Sequence, residues 1–159
     1  MIDITYTNGD ATNPIGSGKK YIIHVCNDIG KWGAGFVLAI SKKWSFPQAK
    51  FLVISKAGNS ILGSCQFCKV SDEITVINMI AQHGIRSKNN ISPIRYDALE
   101  KCLKEISEFI LYKKLNNISI HAPRIGCGLA GGKWEKIEPL LIKYFSKNNI
   151  PIFIYDYKP

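Results

Sequence analysis

Two glycine-rich segments hold the residue types in this chain best suited to binding chemistry. One is Asn27-Asp28-Ile29-Gly30-Lys31-Trp32-Gly33-Ala34-Gly35-Phe36, and the other is Arg124-Ile125-Gly126-Cys127-Gly128-Leu129-Ala130-Gly131-Gly132. Glycines let backbone N–H groups turn toward a ligand without a Cβ in the way, and a helix N-terminus behind them adds positive potential. Both segments read as links from a strand to a helix, so two of them face to face would suit a diphosphate flanked by sugars. Neither fits a named nucleotide motif: Gly30–Gly35 is not G-x-G-x-x-G, and Gly126–Lys133 lacks G-x-x-x-x-G-K-[ST]. One such loop alone is explained by a tight turn. Two at the same end of one sheet argue for a cleft. A third strand end, Gly9-Asp10, contributes a carboxylate.

The elements that must position these loops follow from the apolar pattern. Met1–Tyr6 alternates apolar and polar residues before the turn at Asn8-Gly9-Asp10, and Lys20–Cys26 is a dense apolar run of strand length. Gly33–Trp44 predicts a helix with Phe36, Val37, Ile40 and Trp44 on one face, and Pro47 can open a second helix reaching Lys56. Asn59–Val70 and Asp72–Ala81 predict two strands joined as a hairpin. Ser92–Lys113 predicts a helix capped by Ser92 with Pro93 in its first turn. Asn117–Ala122 is a strand, Lys133–Ser146 a helix and Pro151–Tyr155 a last strand. This alternation predicts an α/β fold with a mostly parallel sheet covered by helices on both faces. Ligands in such folds bind beyond the carboxyl ends of the strands, and each unusual loop here follows a strand.

Composition narrows the function classes. The 159 residues, 46% of them hydrophobic, suit one domain spanning positions 1–159. No run approaches 18 apolar residues and the first ten residues have no leader character, so the expected location is the cytoplasm. Five cysteines, an odd number, point to reduced thiols. Cys65 and Cys68 form a C-x-x-C, but no second pair exists for zinc, and in a strand-like run the two face opposite sides, as half-buried cysteines do. No metal or cofactor is implied. The net charge of +9 comes from 18 lysines and only three arginines, Arg86, Arg95 and Arg124. Scattered lysine pairs describe a solvated surface better than a nucleic-acid interface, which favours arginine and interleaved aromatics. A basic nucleic-acid-binding protein is therefore the weaker alternative, although the positive field would recruit an anionic nucleotide in either case.

The segments IIHVCN-x-x-G-x-WGAGF, INMIAQ and APRIGCGLAGGKW resemble a macrodomain of the Appr-1-p processing kind. The resemblance runs from Gly9-Asp10 to the last strand and lies with the branch of terminal ADP-ribose protein glycohydrolase and the ADP-ribose-1″-phosphate phosphatases. It implies a three-layer α/β/α sandwich with a central mixed, mostly parallel sheet, and a cleft for ADP-ribose or ADP-ribose-1″-phosphate. On this likeness Asp10, followed by Ala11, receives the adenine amine, and Asn27 faces the distal ribose. Gly33, Ala34, Gly35 and Phe36, led by Trp32, wrap that ribose and its phosphate. Gly126, Cys127, Gly128, Leu129 and Ala130 form the second phosphate-cradling loop. Tyr155 or Tyr157 lies against the adenine, with a half-buried core tyrosine equally open for either.

Catalysis divides the family. The glycohydrolase members use a lysine after the middle strand and an aspartate in the second loop. Gln82 and Ala130 stand at those positions here, and neither can act as an amine nucleophile or a general base. The phosphatase members resemble this chain in the H-x-x-N spacing of His24 and Asn27, and a histidine can protonate a leaving oxygen or activate water. Against that role, His24 sits inside a buried apolar strand, and it shares a face with Asn27 only if a bulge or bend intervenes. His83 follows the middle strand and is a second candidate for the cleft; His121 faces the core. Two functions stay open: a module binding free or protein-linked ADP-ribose, and a hydrolase acting on ADP-ribose-1″-phosphate or removing ADP-ribose from modified proteins or nucleic acid.

Overall fold

The run at residues 20–26 is densely apolar because its strand is buried on both faces, with Lys20 to Ile23 and Cys26 all buried. The computed structural model describes residues 1–157. Its strands are β1 (Thr5–Asn8), β2 (Lys19–Asn27), β3 (Cys65–Lys69), β4 (Ile74–Gln82), β5 (Ile118–Ala122) and β6 (Ile152–Asp156), in one sheet of order β1-β6-β5-β2-β4-β3. Every neighbouring pair is parallel except the β3–β4 hairpin. The carboxyl ends of β1, β6, β5, β2 and β4 therefore share one edge of the sheet.

Side-chain alternation divides the layers. Tyr21, Ile23, Ile77, Met79, Ile120 and Ile154 pack against Leu99, Leu103 and Ile106 of α3 (Tyr96–Tyr112) and Ile137 and Leu141 of α4 (Trp134–Tyr144). On the other face Ile22 and Val76 meet Ile40 of α1 (Phe36–Lys43), while Cys26 and Ile80 meet Phe51 of α2 (Phe46–Lys56). Each such buried side chain contributes roughly 1.5–3 kcal/mol. The result is a three-layer α/β/α sandwich. Where α1 and α2 do not reach, the segment 9–18 covers β5 and β6. It is tied down by the Ile15 N–H donating to the Tyr155 hydroxyl at 3.0 Å and by Lys43 Nζ donating to the Thr12 carbonyl at 2.7 Å.

Several boundaries differ from the sequence expectation, each for a local reason. The first strand starts at Thr5, because the Ile2 N–H bonds to the Ser146 carbonyl rather than to the sheet. The Asn59–Val70 strand shortens to Cys65–Lys69, with residues 59–64 folded into turns by the Ile61 N–H to Asn59 and the Ser64 N–H to Ile61. The long helix begins at Tyr96, so Ser92 is not its cap and Pro93 is not in its first turn. Residues 94 and 95 extend the sheet instead: the Ile94 N–H bonds to Ala130 and the Arg95 N–H to Ala81. The C-x-x-C lies in β3 with Cys65 toward α3 and Cys68 toward α1, both unbridged, and the described residues contain no cluster suited to a metal.

Candidate functional site

Because β5, β2 and β4 are neighbours and parallel, the loops that follow them emerge side by side, and they enclose a cavity of about 420 Å³. Trp32, Gly33, Ala34, Gly35 and Phe36 line it from the loop after β2, and Gly126, Gly128, Leu129 and Ala130 line it from the loop after β5. Gln82, Ile85 and Arg86 close the β4 side. His24 and Asn27 both reach it. So do Val25 and Cys26, because the cavity sits over the carboxyl end of β2, where consecutive residues of both parities meet it; the register shift there (Cys26 with Ile80, Asn27 with Gln82) puts its extra residue, Ala81, in β4 and leaves the alternation of β2 intact.

The walls are rich in backbone donors without acceptors. Among the described residues, the N–H groups of Gly33, Ala34 and Gly35 on one wall, and of Gly126, Gly128, Leu129 and Ala130 on the other, make no hydrogen bond. The first wall runs straight into the α1 N-terminus, where Gly35, Phe36 and Val37 line the cavity with no side-chain cap and no acidic residue in the first turn. A row of unpaired N–H groups beside a helix N-terminus is an anion site. Gly126 adopts φ +73°, a left-handed conformation that favours glycine and turns the chain back so that the Gly132 N–H reaches its carbonyl at 2.6 Å. The charged side chains lining the cavity are Arg86 and Arg124, both cationic. Arg124 is held by Asp156 through two bonds of 2.9 and 3.0 Å, and by the rings of Tyr6 and Trp134 at 4.8 and 4.9 Å.

His24 lies under the Trp32 side of the cavity, 2% exposed, edge-on to Trp32 with Phe36 beside it. Its Nε2 is 2.6 Å from Asn78 Oδ1. The Asn78 amide nitrogen donates to the Pro47 carbonyl and to Gln66 Oε1, both at 3.1 Å, which fixes the amide orientation. Oδ1 must then accept from His24, so Nε2 carries the proton and Nδ1 the lone pair. Burial lowers the imidazole pKa to about 4, only partly offset by Asn78, and His24 is neutral at pH 7.

Other expected residues are placed differently. Asn27 lines the cavity, yet its amide organises its own loop: Oδ1 accepts from the Ile29 and Lys31 N–H groups at 3.1 Å, and Nδ2 donates to the Lys31 carbonyl at 2.5 Å. Asp10, Ala11, Cys127, Tyr155 and Tyr157 are not among the lining residues. Asp10 shapes the turn after β1, one oxygen accepting from the Thr12 N–H and hydroxyl at 2.8 Å, and Ala11 is buried. Tyr155 is turned into the core, 3% exposed, with its hydroxyl 2.7 Å from His121 Nδ1, while Tyr157 is 69% exposed. The core tyrosine is thus the outcome for Tyr155. His83 stays outside the cavity, its Nδ1 2.7 Å from Asp28 Oδ2. Burial alone would raise the Asp28 pKa, but the Gly84 N–H and His83 outweigh it and hold the carboxyl below its usual range. His121 is buried between Ser119 and Tyr155, as expected. Sequence reasoning did not single out Ile85 or Arg86 as cavity residues and gave Arg124, at the start of the second loop, no role of its own; the scarcity of arginine beside 18 lysines was the available signal.

An α/β/α sandwich with two facing glycine loops beyond the carboxyl ends of adjacent parallel strands defines a nucleotide-type cleft. No family model matches the chain. A solved structure of a macrodomain protein from Streptomyces coelicolor is 39% identical over 98% of this chain and 100% of that one, with a TM-score of 0.84. The chain belongs to the macrodomain family. Among curated relatives, chromodomain-helicase-DNA-binding protein 1-like of Mus musculus is 32% identical over 96% of this chain but only 17% of its own length, so the chain spans about a sixth of that protein. An ADP-ribose 1″-phosphate phosphatase of Candida albicans is 25% identical over 89% of this chain and 93% of its own length. No helix among the described residues is long and apolar enough to cross a membrane.

Proposed function

We propose that residues 1–159 act in the cytoplasm as one ADP-ribose-binding domain, with the nucleotide in the cavity between the β2 and β5 loops. The observation that carries this reading is the pair of facing loops whose N–H groups have no acceptor among the described residues, beside an uncapped helix N-terminus and two arginines. A diphosphate supplies the missing acceptors and the matching charge. The phosphatase relative from Candida albicans supports ADP-ribose chemistry for the same architecture. Titration calorimetry with ADP-ribose tests the reading. Saturable binding at micromolar level is expected, about −8 kcal/mol. No heat and no thermal shift at millimolar nucleotide would refute it.

A second reading, hydrolysis at the distal end, is favoured by the state of His24. It lines the cavity as a neutral imidazole whose unprotonated Nδ1, 3.8 Å from the Cys26 thiol, has the form a general base requires, and the burial that keeps it neutral also makes that base a weak one. The cavity lining contains no lysine and no carboxylate among the described residues, with Gln82 and Ala130 where glycohydrolase members carry theirs. Dephosphorylation of ADP-ribose-1″-phosphate therefore stands ahead of removal of ADP-ribose from modified protein or nucleic acid.

A further inference from the structure

We propose that Arg86 is an anion-recognition subsite at the β4 end of the cleft, reading a phosphate ester carried on the distal sugar of the bound nucleotide. The proposal rests on the ADP-ribose reading above. Of the three arginines, two are already engaged. Arg95 Nη1 donates to the carbonyls of Ser92, Pro93 and Ile94 at 2.7, 2.9 and 3.0 Å, and Arg124 is gripped by Asp156. Arg86 lines the cavity, is exposed, and has no partner for its guanidinium among the described residues.

The loop that carries Arg86 is built rather than loose. On its near side the Gly84 N–H donates to Asp28 Oδ1 at 2.8 Å, and His83 pairs with the other Asp28 oxygen. On its far side Ser87 and Asn90 exchange two backbone bonds of 3.1 Å. Asn90 Nδ2 then spans the turn, donating to the carbonyls of His83 at 2.7 Å and Ile85 at 3.1 Å. Residue 86 is thus fixed from both sides while its own side chain stays unpartnered. Such preorganisation lowers the ordering cost of binding a ligand there.

Strand order decides which part of the ligand Arg86 meets. Along the sheet edge the unpaired N–H groups follow β5 and β2, Asn27 ends β2, and Arg86 follows β4, one strand step of about 4.8 Å further out. A nucleotide with its diphosphate between the β5 and β2 loops and its distal sugar over Asn27 directs the next substituent toward Arg86. The guanidinium fork matches a phosphate in geometry and charge, and among the described residues no carboxylate lines the cavity to compete for it. A phosphate ester at that carbon occurs on the free nucleotide and on ADP-ribose joined to a nucleic-acid terminal phosphate.

Calorimetry with ADP-ribose, ADP-ribose-1″-phosphate and a short oligonucleotide bearing ADP-ribose on its terminal phosphate tests this, every protein carrying His24→Gln so that no ester is turned over during the titration, and wild type here meaning Arg86 intact. The wild type is expected to bind the phosphate esters about 10-fold tighter than ADP-ribose. Arg86→Ala should weaken the esters by about that factor and ADP-ribose by less than about 2-fold. Lys88→Ala, on the same loop but outside the cavity lining, should keep the preference. Whichever ester binds tighter identifies the source, with either order consistent with the subsite. Equal wild-type affinities for ester and ADP-ribose, or a preference that survives in Arg86→Ala, overturns the proposal. So does an equal loss for both ligands, which would put Arg86 on the diphosphate. Failure of every nucleotide to bind would instead remove the ADP-ribose reading itself.

Discussion

Acidification from pH 7 to pH 5 should destabilise this protein by about 4 kcal/mol through two imidazoles. His24 and His121 are 2% and 0% exposed, and burial lowers each pKa to about 4, with the Lys20 charge adding to the shift at His121. In the unfolded chain the same groups titrate near 6.5. Between those values the unfolded state binds more protons than the folded one, so stability falls as pH falls. At pH 5 an unfolded imidazole is almost fully protonated and the folded one is largely neutral, which is worth about 2 kcal/mol per histidine; the full loss, complete below pH 4, is about 3 kcal/mol each. Urea unfolding followed by circular dichroism at pH 7 and pH 5 measures the difference. His24→Gln and His121→Gln each remove one titrating group, so each should shrink the pH 7 to pH 5 difference by about 2 kcal/mol, whatever its own stability at pH 7. The carboxylates are common to all three proteins and cancel in the comparison. An identical pH difference in wild type and both variants would refute the argument that these rings are held neutral by burial.

Three further outcomes are expected. Purified protein should release phosphate from ADP-ribose-1″-phosphate, and His24→Gln should slow this by about 100-fold or more; a phosphate-release assay showing unchanged turnover removes His24 from the chemistry. Gly132→Ala should cost about 2 kcal/mol and abolish calorimetric ADP-ribose binding, because a Cβ there collides with the Gly126 carbonyl and sits 3.2 Å from Ile137 Cδ1. Gly128→Ala, with no atom within 4 Å of its Cβ, should leave the unfolding free energy within about 0.5 kcal/mol.

The sheet was legible because its signals are local. The dense apolar runs of β2 and β4, interrupted by His24 and Asn78, announce strands buried on both sides, and the glycine loops stand directly at strand ends. From strand order alone, the two loops had to meet at one edge. What could not be read was anything set by a partner distant in the chain. Ser92 and Pro93 have the composition of a helix start, but the Ala81 and Ala130 carbonyls capture the N–H groups of Arg95 and Ile94 and hold the backbone extended. Tertiary hydrogen bonds outrank a capping preference worth about 1 kcal/mol. Tyr155 shows the same limit: strand parity separates it from Ile152 and Ile154, but its burial depends on the segment 9–18, which has no periodicity to read.

The site divides along the same line. Backbone donors were foreseeable, because glycine at a strand-to-helix turn is a statement about the main chain and needs no knowledge of neighbours. Side-chain roles were not, because a polar group's function depends on what else claims it. Asn27 and Arg86 make the contrast. Asn27 stands at the position suited to grip a sugar, yet three bonds to residues 29–31 engage its amide in shaping the loop. Arg86 lies in a stretch without motif or period, yet the ties from Asp28 and Asn90 fix its loop, and its guanidinium at the cavity lip has no partner among the described residues. On the proposed reading, specificity in this cleft follows from which polar groups folding leaves without partners; among the described residues these include two rows of N–H groups and the Arg86 guanidinium, a set that matches phosphate.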